Sequence, residues 1–147
     1  YQNKELPFVP VNDEAVPYLM KNDLRGTFEA MLQDSIAEEK ALIKIEKING
    51  PILLISATKD EVSPSTPMAE KMITRLKTYN FKHKYEHIAI EGGHSAPLKH
   101  FDLVFKFLET NRFHLLFSKP LVSVSFCFLW RIAVNWQCLF LIDLGKP

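Results

Sequence analysis

Asp60 and His94 are the residues whose types and positions most clearly indicate acid–base chemistry. Asp60 comes three residues after the aliphatic run of residues 52–57, and His94 follows two glycines just beyond the strand-like residues 85–90. A histidine can take the proton from a nucleophilic hydroxyl, and a carboxylate can hold its ring in the orientation that this transfer requires. An aspartate after a strand is often only a turn residue, and a single loop histidine usually lies on the surface. Their joint placement is what favours a catalytic pair, with Glu61 as the nearest competing carboxylate.

A nucleophile of the matching kind is not found in the sequence. A Gly-x-Ser-x-Gly motif would present a serine on a sharp strand-to-helix turn, and neither this motif nor Gly-x-Cys-x-Gly occurs in the 147 residues. Ser56, Ser63 and Ser95 are poor substitutes, because even Ser95, which adjoins His94, lacks such a turn. The chain order in α/β-hydrolases is nucleophile, acid, histidine. We therefore expect the nucleophile to lie upstream of residue 1.

Five secondary-structure elements are predicted to position the two residues. Residues 52–57 form a continuous aliphatic run after a turn, which is typical of a strand covered on both faces, and residues 85–90 form a second strand. Apolar spacing predicts three helices: one capped by Thr27 that fades by about Lys40, one capped by Thr66 with Pro67 at its first position, and one after Pro97 whose apolar face is Phe101, Val104, Phe105 and Leu108.

The order helix, strand, helix, strand, helix predicts the fold class. Strands that alternate with helices form a parallel sheet through right-handed crossovers, with helices on both faces. Ligands of such sheets bind beyond the carboxyl ends of the strands. Asp60 and the turn of Gly92, Gly93 and His94 both follow a strand at that edge. The sequence therefore predicts an α/β protein, a partial α/β-hydrolase fold, in which Asp60 and His94 meet.

Composition excludes few classes of protein. The net charge of +1 gives no reason to expect a nucleic-acid partner, and 47% hydrophobic residues are ordinary for a soluble domain. Cys127 and Cys138 have no second pair and no histidine at ligand spacing, which argues against a zinc site or a disulfide framework. The polar start shows no secretory pattern, and without an initiator Met we expect a chain that is partial at its front. We expect a cytoplasmic location.

Residues 111–147 differ in character from residues 1–110, so we predict a domain boundary between them. Both tryptophans, both cysteines and five of eleven phenylalanines follow Asn111, and no acidic residue occurs between Glu109 and Asp143. A membrane span needs about 20 apolar residues with few charges, and this stretch is interrupted by polar residues: Arg131, Asn135 and Gln137. We interpret the segment as an appended or aberrantly decoded tail. Membrane association of this tail is not favoured.

Two segments carry a resemblance to a known family. Residues 50–65, with the sequence GPILLISATKDEVSPS, and residues 81–94, which end in Glu91-Gly92-Gly93-His94, resemble acyl-CoA thioesterases and bile acid-CoA:amino acid N-acyltransferases. The resemblance covers about residues 5–110 and implies the C-terminal part of a dienelactone-hydrolase-like catalytic domain. It implies that Asp60 is the triad acid and His94 the general base. It also implies that the nucleophile, the oxyanion hole and an N-terminal β-sandwich domain lie upstream.

The function implied is that of a serine hydrolase acting on acyl-CoA or a related thioester or ester, by hydrolysis or by acyl transfer. No cofactor and no metal are expected, because a serine, a histidine and a carboxylate suffice for this chemistry. Two alternatives stay open: a dienelactone-hydrolase-like esterase or peptidase with the same triad, and a non-catalytic hydrolase fragment. The sequence does not decide acyl chain length, thioesterase against transferase activity, or oligomeric state.

Overall fold

In a computed structural model of the chain, residues 6–112 are described. These residues form five helices and two strands: α1 (Val16–Met20), α2 (Leu24–Met31), α3 (Ser35–Ala41), β1 (Ile52–Ala57), α4 (Ser65–Thr78), β2 (Tyr85–Ile90) and α5 (Phe101–Arg112). Short 3₁₀ turns cover Ile45–Lys47 and Ala96–Lys99. Both strands lie where the sequence predicts them.

The two strands are parallel neighbours joined by α4. Their register pairs Ile52 with Tyr85 and continues to Ala57 with Ile90. All six residues of β1 are buried, which explains why its sequence is a continuous aliphatic run rather than an alternation of apolar and polar residues. Because successive side chains of a strand point to opposite faces, β1 contributes to two separate apolar layers.

Each of the two apolar layers packs one face of the sheet against a helix, so helices cover both faces. On one face the buried residues of β1 pack with α4 and the 3₁₀ turn before the strand: Ile45, Ile52, Leu54, Ala69, Met72 and Leu76. On the other face they pack with α5: Leu53, Ile55, Val104 and Phe107. Burying one such side chain stabilises a fold by roughly 1.5–3 kcal/mol. The predicted α/β class, a parallel sheet with helices on both faces, is confirmed.

The predicted cap of the first helix is wrong. The helix α2 begins at Leu24, and the carboxylate of Asp23 caps it by accepting the backbone N–H of Gly26 at 2.8 Å. Thr27 is buried inside the helix, and its hydroxyl donates to the carbonyl of Asp23 at 2.7 Å. The helical pattern is also divided in two, because Asp34 caps a separate helix, α3. Asp23 lies four residues before Thr27, and aspartate is at least as favourable as threonine at the N-cap position.

The predicted start of α4 is also wrong. Its first residue is Ser65, with Pro64 at the N-cap position, so Thr66 lies within the first turn. The Thr66 hydroxyl donates to the carbonyl of Ala57 at 3.0 Å, which ties the start of α4 to the end of β1. This tertiary hydrogen bond replaces the local capping bond that the sequence suggests.

The helix predicted after Pro97 is present as α5, and Val104 and Leu108 of its predicted apolar face pack against the sheet, but Phe101 and Phe105 do not. Phe101 and Phe105 are 42% and 55% exposed, whereas Val104 and Phe107 are buried. The spacing of 101, 104, 105 and 108 is helical, but the neighbouring stripe that contains residues 104 and 107 faces the sheet.

The predicted tail of residues 111–147 lies outside the described residues, except for the last two residues of α5. Within residues 6–112, none of the helices combines the length and the apolar character needed to cross a bilayer.

Candidate active site

Asp60 lies in the turn that follows β1, and its side chain closes that turn. Its Oδ1 accepts the backbone N–H groups of Val62 at 2.9 Å and of Ser63 at 3.0 Å, while Oδ2 accepts the Ser63 hydroxyl at 3.3 Å. Only 1% of the residue is exposed. An aspartate that bonds the backbone two or three residues ahead fixes a turn in one conformation. These bonds within the turn hold the carboxylate in place independently of any contact with the residues after β2.

Opposing effects act on the pKa of the Asp60 carboxyl. Burial would raise this pKa, but hydrogen bonds from the Ser65 hydroxyl, from the backbone of Ser63 and Val62 and from His94 together lower it below its ordinary value of 3.8. Hydrogen bonds to a carboxylate stabilise its charged form, so they outweigh the loss of solvation here. Asp60 is thus a buried carboxylate that stays ionised at neutral pH.

His94 reaches Asp60 from the turn after β2. Its Nδ1 lies 2.9 Å from Asp60 Oδ1, although the two residues are 34 positions apart. Gly92 has φ +132°, a conformation that residues with a side chain rarely adopt, and this lets the chain turn sharply at the end of the strand. The backbone N–H of Lys59 donates to the carbonyl of Gly92 at 2.9 Å and joins the two turns. The structure therefore brings the two predicted site residues together.

The contact of Nδ1 with a carboxylate has a chemical consequence for the ring. When Nδ1 carries the hydrogen that Asp60 accepts, Nε2 is the nitrogen with a lone pair. The His94 side chain is 16% exposed, while that of Asp60 is 1% exposed. The pair has the arrangement of a general base and the carboxylate that orients it.

Arg25 contacts the turn that carries Asp60, although no sequence pattern indicated this. The residue lies in the first turn of α2, and its guanidinium donates to the backbone carbonyl of Asp60 at 2.8 Å. Glu29, one helical turn further on, accepts from the Nε of the same side chain at 2.9 Å. This contact to a main-chain atom has no residue-type signature, so no sequence pattern could have indicated it. It joins the helical segment before β1 to the turn that carries the candidate acid.

Glu61, the competing carboxylate, contacts a different part of His94. Its Oε2 accepts the backbone N–H of His94 at 2.9 Å, whereas the imidazole Nδ1 is bonded by Asp60. The two consecutive acidic residues thus contact one histidine at two different atoms.

The serines considered in the sequence are differently placed. Ser63 is buried and bonded to Asp60, whereas Ser95 is exposed and precedes a 3₁₀ turn. Ser56 is fully buried in β1, and its hydroxyl lies 2.8 Å from Nε2 of His87 and 2.9 Å from the hydroxyl of Thr66. None of the three follows a strand directly into a helix, as a nucleophile on a sharp strand-to-helix turn would.

The Ser56–His87 pair could have been found from the sequence. Both residues fall on the alternating strand positions that face α4, where Leu54 is buried and Tyr85 packs. Polar side chains on a face that is otherwise apolar and buried need hydrogen-bond partners, and two such side chains on neighbouring strands can bond to each other. The alternation of residues along the two strands is therefore a usable sequence signal for this hydrogen bond.

Two surface hollows lie elsewhere on the molecule. One, of about 520 Å³, lies between the residues around Phe8 and α3, and the other, of about 400 Å³, lies between α4 and β2. Neither is lined by Asp60 or His94. Within residues 6–112, no three His, Cys, Asp or Glu side chains come together as a metal site would require.

Comparison with known protein families identifies a family for this chain. The profile of the family described as "BAAT / Acyl-CoA thioester hydrolase C terminal" matches residues 1–101 of the 147. No curated protein and no solved structure matches the chain significantly. The matched residues include both strands, α4, Asp60 and His94. Because the match spans more than half of the sequence, the chain belongs to the family of BAAT / acyl-CoA thioester hydrolase C-terminal domains.

Proposed function

We propose that Asp60 and His94 are the acid and the base of a Ser–Asp–His triad in an enzyme that acts on acyl-CoA thioesters. The observation that carries this proposal is the 2.9 Å contact between His94 Nδ1 and Asp60 Oδ1 at the carboxyl ends of two neighbouring parallel strands. Membership of the family supports a thioester as the substrate.

The residues of this chain would act in the following way. Asp60, ionised and buried, accepts the Nδ1 hydrogen of His94 and so holds the ring with Nε2 as the proton acceptor. His94 takes the proton of a serine hydroxyl as that oxygen attacks the thioester carbonyl, and later gives the proton to the leaving CoA thiolate. In the second half of the reaction His94 takes a proton from water or from an acceptor amine, which attacks the acyl-serine; the bond to the serine oxygen breaks, His94 returns the proton to that oxygen, and the acyl product is released. The proposed reaction requires neither a metal nor a cofactor.

The serine would come from a part of the polypeptide upstream of residue 1. The 147 residues contain no Gly-x-Ser-x-Gly motif, and the chain order of a hydrolase triad places the serine before the acid. We use the term extended enzyme for the polypeptide that contains these 147 residues together with the sequence encoded upstream of them. Its added sequence should contain a strand followed by Gly-x-Ser-x-Gly.

The test is an assay of the extended enzyme with acyl-CoA, with a simple ester and with a peptide. Release of free CoA thiol, lost in His94→Ala, is the expected result. Repeating the assay with an amino acid acceptor separates hydrolysis from acyl transfer, because a transferase forms the amide. Turnover of the ester or peptide without turnover of acyl-CoA would contradict the proposed substrate class.

A second candidate applies to the 147-residue chain by itself: a hydrolase fragment without catalytic activity. The observation that favours it is the placement of the serines, since Ser56 and Ser63 are buried and Ser95 follows no strand directly. A fluorophosphonate probe, which labels activated serines, should leave this chain unlabelled. Stoichiometric labelling of Ser95 would show instead that the chain carries its own nucleophile.

A further inference from the structure

Asp60 and Glu61 are consecutive in the chain and contact the same histidine at two points. Asp60 accepts from the imidazole Nδ1 and Glu61 accepts from the backbone N–H, each at 2.9 Å. We propose that Glu61 is a positioning residue, which fixes the backbone of the His94 turn so that Asp60 can align the ring. This inference rests on the proposed function, in which His94 is the base.

A backbone anchor matters here because of the turn that carries His94. The turn begins with Gly92 at φ +132°, and glycine leaves the backbone more freedom than any other residue. Backbone hydrogen bonds from the Lys59 N–H to the Gly92 carbonyl and from the Ala96 N–H to the Gly93 carbonyl shape the turn, and the bond to Nδ1 restrains the end of the His94 side chain. Glu61 restrains the main chain at His94 itself. Two restraints on one residue fix both where the ring is and how it is turned.

Gly93 gives independent support for this close approach. A Cβ at position 93 would lie 2.6 Å from Glu61 Oε2, well inside van der Waals contact. Unlike Gly92, Gly93 has no positive φ to explain why glycine is needed. A side chain at position 93 would take the place that the carboxylate occupies, so the Glu61 side chain would have to move away. Gly93→Ala should therefore displace the exposed Glu61 side chain and release the same hydrogen bond.

The charge of Glu61 suits the contact. The backbone N–H of His94 is the largest influence on its carboxyl and lowers its pKa below the ordinary value of 4.5. A carboxylate acceptor makes a stronger hydrogen bond than a neutral amide, but glutamine at this position keeps an acceptor oxygen of the same reach. Glu61→Gln therefore preserves the anchor in weaker form, whereas Glu61→Ala removes it.

The first experiment measures amide hydrogen exchange at His94 by NMR in the full 147-residue chain. Exchange should be about tenfold faster in Glu61→Ala and in Gly93→Ala, and within about threefold of wild type in Glu61→Gln. The double variant Glu61→Ala/Gly93→Ala should be no faster than either single variant, because both remove one contact. The downfield signal of the Nδ1 proton that Asp60 accepts should broaden in the same variants.

The matched control is Glu91→Ala, which removes an acidic residue from the same turn. Glu91 pairs with Lys59 and with the hydroxyl of Thr58 and has no hydrogen bond to the His94 backbone. It should leave His94 exchange at the wild-type rate. Unchanged exchange in Glu61→Ala, or an equal effect of Glu91→Ala, would overturn the proposed anchor.

The second experiment measures kinetics in the extended enzyme. Glu61→Ala should lower kcat by about ten- to a hundredfold with KM within about threefold, because a misplaced base slows the chemical step. Glu61→Gln should recover the rate to within about tenfold of wild type. A Glu61→Ala enzyme with unchanged kcat would overturn the positioning role. If the extended enzyme turns over no acyl-CoA, the proposed function fails, while the exchange measurement still decides whether Glu61 anchors His94.

Discussion

Ser56 and His87 form a hydrogen bond of 2.8 Å between the two parallel strands, on the face that packs against α4. Ser56 is fully buried, and its hydroxyl is also bonded to Thr66 in the first turn of α4. Burial lowers the pKa of His87 below its ordinary value of 6.5, and the nearby charge of Glu70 only partly opposes this. A neutral imidazole is therefore part of the packing between strands and helix.

Stability should depend on pH through His87. Its pKa is lower in the folded chain than in the unfolded chain, so the unfolded chain binds the proton first as pH falls below 6.5. We expect the free energy of unfolding in urea to decrease from pH 6.5 downward until the folded-state pKa is passed. His87→Gln should reduce this slope and Glu70→Gln should steepen it, since the Glu70 carboxylate favours the protonated ring. Parallel slopes in all three proteins would contradict the assignment.

Asp60 should make the free energy of unfolding depend on pH in a second, more acidic range. Its pKa is lowered by folding, so its contribution to stability is present above the ordinary value of 3.8 and is lost as pH falls through the folded-state pKa. The free energies of unfolding of wild type and Asp60→Asn should differ at pH 7 and converge below pH 3.8. A difference that is the same at pH 7 and at pH 2.5 would show that the charge of Asp60 contributes no stability.

We expect the extended enzyme to lose most of its catalytic rate when either of the two proposed triad residues, Asp60 or His94, is changed. His94→Ala should remove most of the rate, because a serine hydroxyl is a weak nucleophile without its base. Asp60→Asn should cost up to about 10⁴-fold, the size of loss found when the equivalent change in serine proteases fixes the wrong tautomer. The double variant should be little worse than His94→Ala, since triad members act as a unit. Steady-state kcat/KM with acyl-CoA is the measurement.

The control for those kinetics is Glu91→Gln, an exposed carboxylate of the same turn that pairs with Lys59. It should leave kcat/KM within about twofold, as expected for a surface ion pair outside the site. A Glu61→Gln enzyme as impaired as His94→Ala, beside a nearly unaffected Asp60→Asn enzyme, would identify Glu61 as the true acid.

Removal of the residues after Arg112 should leave the chain at least as soluble as before. The removed sequence holds both tryptophans and five of eleven phenylalanines, and exposed apolar segments promote association. Soluble yield and the urea midpoint of the two chains are the measurements. Loss of cooperative unfolding on truncation would mean that the tail packs on the domain. Recovery of the full chain in carbonate-washed membranes would identify it as an anchor.

The sequence predicted the features that depend on residue type and missed those that depend on main-chain partners. The limits of β1 and β2 follow from apolar patterns, and the meeting of Asp60 with His94 follows from the geometry of parallel strands. The contacts of Glu61 and Arg25 were missed, because a backbone N–H or carbonyl is present at every position and leaves no trace in the sequence.

The helix starts were missed for a related reason. Asp23, Asp34 and Thr27 are all suitable caps, so the sequence offers several helix starts; the two aspartates each cap a helix, while the Thr27 hydroxyl bonds the backbone inside α2. The buried face of α5 was predicted in part: Val104 and Leu108 pack on the sheet, but Phe107 replaces Phe101 and Phe105, because both sets of residues have helical spacing.

The strand β1, the helix α4 and the strand β2 follow one another in the chain as one βαβ unit. Asp60 lies in the turn after β1 and His94 in the turn after β2. Closing a loop of this length costs little entropy compared with joining distant parts of a chain. During synthesis Asp60 and His94 therefore emerge in one short segment, and α5, which covers the other face of β1, follows directly after it. In recombination between related genes, a crossover outside residues 51–95 would transfer Asp60, His94 and the strands and helix that bring them together as one piece.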